Sequence, residues 1–156
     1  MHASTRPPAS SVLLLAATLG VLGGGQLGRM LVHAAQRMGY GTVVLDPDAH
    51  CPAGQAAQRH IVAAYDDADG WQQLLRACDG ITTEFENVPA PALLTLGAHR
   101  PVAPGADVVA IAQDRLREKA HFVRCGVPVA PFAAIRTAEQ LAAVGDELLP
   151  GILKTA

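Results

Sequence analysis

Apolar residues fall into short continuous runs that alternate with stripes at helical spacing. Leu19-Gly20-Val21-Leu22 reads as a first buried strand, and after it Leu27, Met30, Leu31, Ala34 and Met38 recur with a helical period. Met38-Gly39-Tyr40-Gly41 stops that helix, Thr42-Val43-Val44-Leu45 reads as a second strand, and 51–58 is an Ala-, Gly- and Pro-rich loop. His60-Ile61-Val62-Ala63 predicts a third short strand. A helix follows with Trp71, Leu74, Leu75 and Cys78 on one face, its start favoured by Asp66, Asp67 and Asp69. Ile81-Thr82-Thr83 predicts a fourth strand, and a helix starts near Pro89, carries Leu93, Leu94 and Leu96, and ends near Gly97.

The texture changes at His99-Arg100-Pro101-Val102-Ala103-Pro104-Gly105, where the first domain's boundary is expected. Residues 107–111 predict a turn or two of helix. Gln113-Asp114-Arg115-Leu116-Arg117-Glu118-Lys119 opens a charged helix that ends at Cys125-Gly126, with Gly126 as its C-cap. Residues 129–135 predict a strand, Thr137-Ala138-Glu139-Gln140 a capping box opening a short helix, and 151–155 the beginning of another strand. Strands alternating with helices predict an α/β fold with a parallel sheet and helices on both faces. One strand, one helix and the start of a second strand are too little to bury a sheet, so the second unit is read as incomplete and the chain as the front of a longer protein.

Between the first strand and helix stand Gly23, Gly25 and Gly28, in the spacing G-x-G-x-x-G. Missing side chains permit a tight turn and close helix–strand packing there. The helix start offers N–H groups and partial positive charge to an anion, typically a phosphate.

Composition adds mainly exclusions. Half of the 156 residues are apolar, enough for a core, while the formal charge of −2 gives no electrostatic reason for nucleic acid or an anionic membrane. Aromatic residues are only 4%, which argues against a base-stacking surface. Cys51, Cys78 and Cys125 are odd in number and far apart, which suits a reducing cytosol better than a disulfide framework. Residues 1–11 are polar with Pro7-Pro8, and 12–22 are apolar, which imitates a secretory signal. With one Arg, no A-x-A-like site and an apolar run leading straight into the glycine turn, the start is read as a loose leader ahead of the first strand. No segment is long and apolar enough to span a membrane.

Asp46 falls about 20 residues beyond the glycine turn, where a dinucleotide fold carries the acid that binds a ribose hydroxyl. Equally, it can cap its strand while Pro47 enforces a turn, and spacing leaves the two readings level. Glu84 sits at a strand's carboxyl end, on the edge where parallel α/β sheets bind ligands, and is assigned to function. Glu86 is assigned to favouring the next helix's N-terminus. His50, Cys51 and His60 lack the closely paired spacing of zinc ligands, so no metal is assigned to them.

Four stretches in one order carry a resemblance: Gly23-Gly24-Gly25-Gln26-Leu27-Gly28-Arg29-Met30, Thr83-Glu84-Phe85-Glu86-Asn87-Val88-Pro89, Gln113-Asp114-Arg115, and Gly151-Ile152-Leu153-Lys154-Thr155. Together with Asp46-Pro47 and Gly126-Val127-Pro128 they resemble the 5-(carboxyamino)imidazole ribonucleotide synthases among the ATP-grasp enzymes, over about residues 17–156. The resemblance implies an ATP-dependent ligase of purine biosynthesis that joins bicarbonate to the amine of aminoimidazole ribonucleotide through carboxyphosphate. It implies a Rossmann-like pre-ATP-grasp domain at 17–104 behind a leader at 1–16, linking helices at 105–126, and the opening of the small ATP-grasp subdomain at 127–156. Gly25, Gln26, Leu27 and Glu84 would contact the ribonucleotide, and Arg115 and Lys154 would contact ATP. The family's glycine-rich ATP loop, magnesium ligands and bicarbonate-binding residues belong after Ala156, so this chain alone is expected not to catalyse. Family members are commonly cytoplasmic homodimers. Residues 1–15 are a longer leader than such enzymes need.

Three alternatives remain to be weighed. An NAD-dependent oxidoreductase explains the glycine turn and Asp46 but not Glu84 to Pro89, Arg115 and Lys154 as a set. A formate-dependent glycinamide ribonucleotide transformylase shares the architecture, yet the Glu84-Phe85-Glu86-Asn87-Val88-Pro89 stretch favours the imidazole substrate. The third is a non-catalytic nucleotide-binding remnant.

Overall fold

A computed structural model describes residues 12–154. The leader expected over 1–11, together with Thr155 and Ala156, lies outside the described residues. The chain divides into two compact units, Met1–Val109 and Ala110–Ala156.

In the first unit, β1 (Thr18–Leu22), β2 (Gly41–Asp46), β3 (Arg59–Val62) and β4 (Gly80–Thr83) form one parallel sheet in the order β3-β2-β1-β4. Register is continuous, with Leu22 opposite Leu45 on one side and Thr83 on the other. Four helices accompany the strands: α1 (Gln26–Arg37), α2 (Pro52–Ala56), α3 (Ala68–Ala77) and α4 (Ala90–Gly97). Alternate strand residues feed two cores, as strand pleating requires. Leu22, Val43, Leu45, Ile61 and Ile81 pack with Leu74 and Cys78 of α3 and with Ala92, Leu93 and Leu96 of α4. On the other face Val21 and Val44 pack with Val32 of α1 and with Cys51 and Ala53 beside and within α2. The expected parallel sheet with helices on both faces is therefore present.

Two local expectations change. Leu27, Met30, Leu31 and Ala34 on α1 and Met38 at its C-cap are exposed, whereas Gly28, Val32 and Ala35 form the buried face. Period reports a helix but not which of two apolar stripes meets the sheet; the side lacking bulk, where Gly28 lets backbone approach backbone, is the one that packs. The loop expected over 51–58 contains α2, five residues with Pro52 in the first turn, too short to leave a periodic signal. The strand ahead of α3 runs Arg59–Val62, and Asp67 caps α3 by accepting the Asp69 N–H.

α5 (Ala106–Ala112) spans the division between the units, and its Val109 is buried in the first core. In the second unit, α6 (Arg115–Arg124) is capped by Asp114, which accepts the N–H groups of Leu116 and Arg117. Gly126, in the left-handed region at φ +73°, ends it as expected. α7 (Ala138–Ala142) opens on Thr137, which accepts the Gln140 N–H, and a 3₁₀ turn follows at Asp146–Leu148. The strands expected at 129–135 and 151–155 are not formed among the described residues. A strand exists only by pairing, and these extended segments have no neighbouring ladder. Neither α6 nor α7 buries a residue.

Candidate functional site

All four strands point their carboxyl ends at one edge, and each end delivers a different part of one cluster. β1 runs into the glycine turn, β2 ends on Asp46, the segment after β3 carries Tyr65, and β4 leads into Glu84 and Phe85. The strand order reverses between β1 and β4: α1 leaves β1 over one face and α3 reaches β4 over the other. Such a switch point is where parallel α/β sheets open a ligand crevice. The glycine turn and Glu84 meet there.

Glu84 is partly buried, and its backbone N–H donates to the Leu22 carbonyl at 3.1 Å, which continues the β1–β4 ladder by one residue. That bond aims the side chain across the start of α1. Oε1 accepts the Gly25 N–H at 3.0 Å and Oε2 accepts the Gly28 N–H at 2.5 Å. α1 begins on Gly25, with no side chain to cap it and no acid in its first turn. Glu84 supplies both from another strand. Two N–H groups expected to receive a phosphate are thus already held by a carboxylate, which also complements the helix dipole. Among the described residues the N–H groups of Gln26 and Leu27 keep no protein acceptor.

The glycines have steric reasons. A Cβ on Gly25 would stand 2.6 Å from Glu84 Oε1, one on Gly24 2.4 Å from Cys51 Sγ, and one on Gly28 2.7 Å from the Gly23 carbonyl oxygen. Gly23 itself sits at φ +112°. The turn is pressed by Glu84 on one side and by the Cys51–α2 segment on the other.

Asp46 resolves the two readings that spacing left level. It is 7% exposed, its Oδ2 accepts the Gly24 N–H at 2.6 Å and the Tyr65 hydroxyl, and its Oδ1 accepts the Asp48 N–H at 2.8 Å. Buried, with Oδ2 on the glycine turn and the phenol and Oδ1 on the turn that follows β2, it serves as the strand-end cap. Tyr65 and Phe85 were not singled out by sequence; their rings meet edge-on with centroids 5.5 Å apart. The one available signal was a tyrosine just past a strand end in an aromatic-poor chain.

Burial pushes the Cys51 thiol up, with the Asp46 and Asp48 carboxylates adding to it. Its Sγ lies 3.5 Å from His60 Nε2, while His50 is exposed. Among the described residues no three His, Cys, Asp or Glu side chains converge as a metal site. In the second unit Arg115 is about half exposed and paired with Glu118 at 2.8 Å, and Lys154 is exposed. No helix among the described residues is long and apolar enough to cross a membrane.

A switch-point crevice with a glycine turn clamped by two strand-end carboxylates defines a nucleotide-type α/β domain. Comparison with known proteins narrows that class. The family model described as the ribonucleotide synthetase pre-ATP-grasp domain matches residues 16–113. The chain belongs to that family. The N5-carboxyaminoimidazole ribonucleotide synthase of Brucella melitensis biotype 1 is 48% identical over 138 residues, 88% of this chain and 38% of that protein. A Staphylococcus aureus protein of the same name is 40% identical over 144 residues, covering 92% and 38%. An N5-carboxyaminoimidazole ribonucleotide synthetase solved as an ADP complex superposes with TM-score 0.82 at 38% identity, covering 91% of this chain and 38% of that one. The Aspergillus clavatus enzyme, solved with ADP and 5-aminoimidazole ribonucleotide, superposes with TM-score 0.74 at 32% identity, covering 86% and 37%. The chain thus spans 38% of the length of the curated relatives it matches. The oxidoreductase alternative finds no support among them.

Proposed function

We propose that this chain is the ribonucleotide-holding part, with the opening of the ATP-binding part, of a ligase that carboxylates aminoimidazole ribonucleotide in purine synthesis. The observation that carries the reading is the Glu84 carboxylate held on the Gly25 and Gly28 N–H groups at the switch point. A carboxylate fixed by two donors keeps lone pairs for an amine or a ribose hydroxyl, while the N–H groups of Gln26 and Leu27 donate to an oxygen of the same ligand. In the whole ligase, ATP transfers its γ-phosphoryl group to bicarbonate, giving ADP and carboxyphosphate. The ribonucleotide amine then attacks the carboxyl carbon, phosphate leaves, and the amine loses a proton. Glu84 binds and orients that amine. Arg115 and Lys154 are cations suited to a polyphosphate. Magnesium is implied by the family, and the described residues form no acidic group that fits it. The division proposed is 17–104 for the pre-ATP-grasp domain, 105–126 for linking helices and 127–156 for the opening of the small subdomain. A cytoplasmic homodimer is the assembly proposed for the full-length ligase.

Titration calorimetry with the 156-residue chain tests this. Aminoimidazole ribonucleotide is expected to bind saturably and Glu84→Gln to weaken it by ~10-fold, the loss of one charge-assisted contact. NAD is expected not to bind. No ribonucleotide binding, or saturable NAD binding, overturns the reading. Ribonucleotide-dependent ATP turnover by the chain alone would overturn the assignment of catalysis to the rest of the ligase.

A further inference from the structure

Tyr65 makes no hydrogen bond to the glycine turn's backbone or to Glu84, yet it contacts Asp46 and Phe85, one on each side of the clamp. Its hydroxyl donates to Asp46 Oδ2, the oxygen that also receives the Gly24 N–H at 2.6 Å. Its ring meets Phe85 edge-on at 5.5 Å, and Phe85 directly follows Glu84. Glu84 and Phe85 both lie over Gly23, where a Cβ would stand against Glu84 Cγ and 3.0 Å from Phe85 Cδ1. Adjacent in the chain and seated on the same glycine, Phe85 and Glu84 share one backbone placement against the turn. Asp46 is buried and holds three donors, Gly24 N–H, Asp48 N–H and the phenol, so losing one leaves a buried carboxylate under-satisfied and free to reorient.

We propose that Tyr65 is a positioning residue that sets the glycine turn and Glu84 in one fixed relation, its hydroxyl through Asp46 and Gly24 and its ring through Phe85. It acts without touching ligand. The inference rests on the proposed function only in taking the Gln26, Leu27 and Glu84 edge as the ribonucleotide's place. Burial, with the Asp46 and Glu84 carboxylates, also pushes the phenol up, so it is a donor at neutral pH.

The test is amide hydrogen exchange on the ¹⁵N-labelled 156-residue chain, with Val21 and Val44 of the sheet reporting global stability. Tyr65→Phe keeps the ring and removes the hydroxyl; Gly24, Gly25 and Gly28 are expected to lose ~10-fold protection beyond any loss at Val21 and Val44. Phe85→Leu cuts the other arm, and Gly25 and Gly28 are expected to lose protection while Gly24 keeps it. The proposal is overturned if Tyr65→Phe affects Gly24 alone, if Phe85→Leu leaves Gly25 and Gly28 unchanged, or if all amides move together as in a merely stabilising role. Titration of aminoimidazole ribonucleotide separates the two ideas. Where the unsubstituted chain binds, Tyr65→Phe is expected to weaken affinity ~10-fold, and equal affinity defeats the proposal. If the unsubstituted chain does not bind, the ribonucleotide reading fails while the exchange result still decides the positioning role.

Discussion

Glu84 caps α1 through the Gly25 and Gly28 N–H groups, and in the proposed function the same carboxylate is the acceptor for the ribonucleotide. The capping duty predicts a stability effect separable from ligand binding. Glu84→Gln leaves one carbonyl oxygen for two N–H groups and removes the charge facing the helix dipole, so chemical denaturation should show a loss of about 1–2 kcal/mol. Gly28→Ala is predicted to cost about 1–3 kcal/mol although alanine favours helices, because its Cβ would stand 2.7 Å from a backbone oxygen that has no rotamer to escape into. Burial, then the Asp79 carboxylate, pushes the Cys78 thiol up from 9.0 to about 12. Below pH 9 the folded and unfolded chains both keep that proton, and its contribution to stability is fully present. As pH rises from about 9 towards 12 the unfolded chain releases it first, so the contribution is lost. Urea midpoints should fall over that window, and less steeply in Cys78→Ala, if that variant's lower baseline is taken as reference. At neutral pH a thiol reagent should modify exposed Cys125 readily and buried Cys51 and Cys78 only after unfolding.

α1 is the element on which pattern and packing part company. Its larger side chains, Leu27 and Met30, are 65% and 61% exposed, while Val32 is fully buried between helix and sheet. Met30→Ala is therefore predicted to change stability by no more than about 0.5 kcal/mol, and Val32→Ala to cost roughly 2 kcal/mol. Denaturant midpoints of the two variants check this, and the reverse order would mean that the stripe with more bulk is the packed one. The α3 stripe was legible from sequence because its apolar residues occupy a single face, with Leu74 and Cys78 buried and Trp71 and Leu75 packed against them. On α1 two stripes compete, and the hydrophobic period alone has no means of ranking them.

At the scale of the molecule, the two units differ in how much they bury. The first holds both cores, whereas α6 and α7 of the second bury no residue and Ile152 and Leu153 are 85% and 71% exposed. Local stability follows burial. Hydrogen exchange should accordingly show sheet amides such as Val21 and Val44 among the slowest and the amides of α6 and α7 among the fastest helical ones. Comparable protection across both units would contradict that.

The sequence by itself determined the alternation of strands and helices, the G-x-G-x-x-G turn, the acidic start of α3, the caps at Thr137 and Gly126, and Glu84's position at a strand end. These are local: each rests on residues within a few positions of one another, whose backbone preferences and hydrogen bonds act over that range. The tertiary structure alone decided which stripe of α1 is buried, that Asp46 holds the turn, that Glu84 closes two N–H groups 56 and 59 positions away, and that Tyr65 links them. Among the described residues it also left the segments expected as strands at 129–135 and 151–155 unpaired. Each of those outcomes depends on a partner distant in sequence. A carboxylate, a helix face or an extended segment acquires its role only from what the folded chain brings against it.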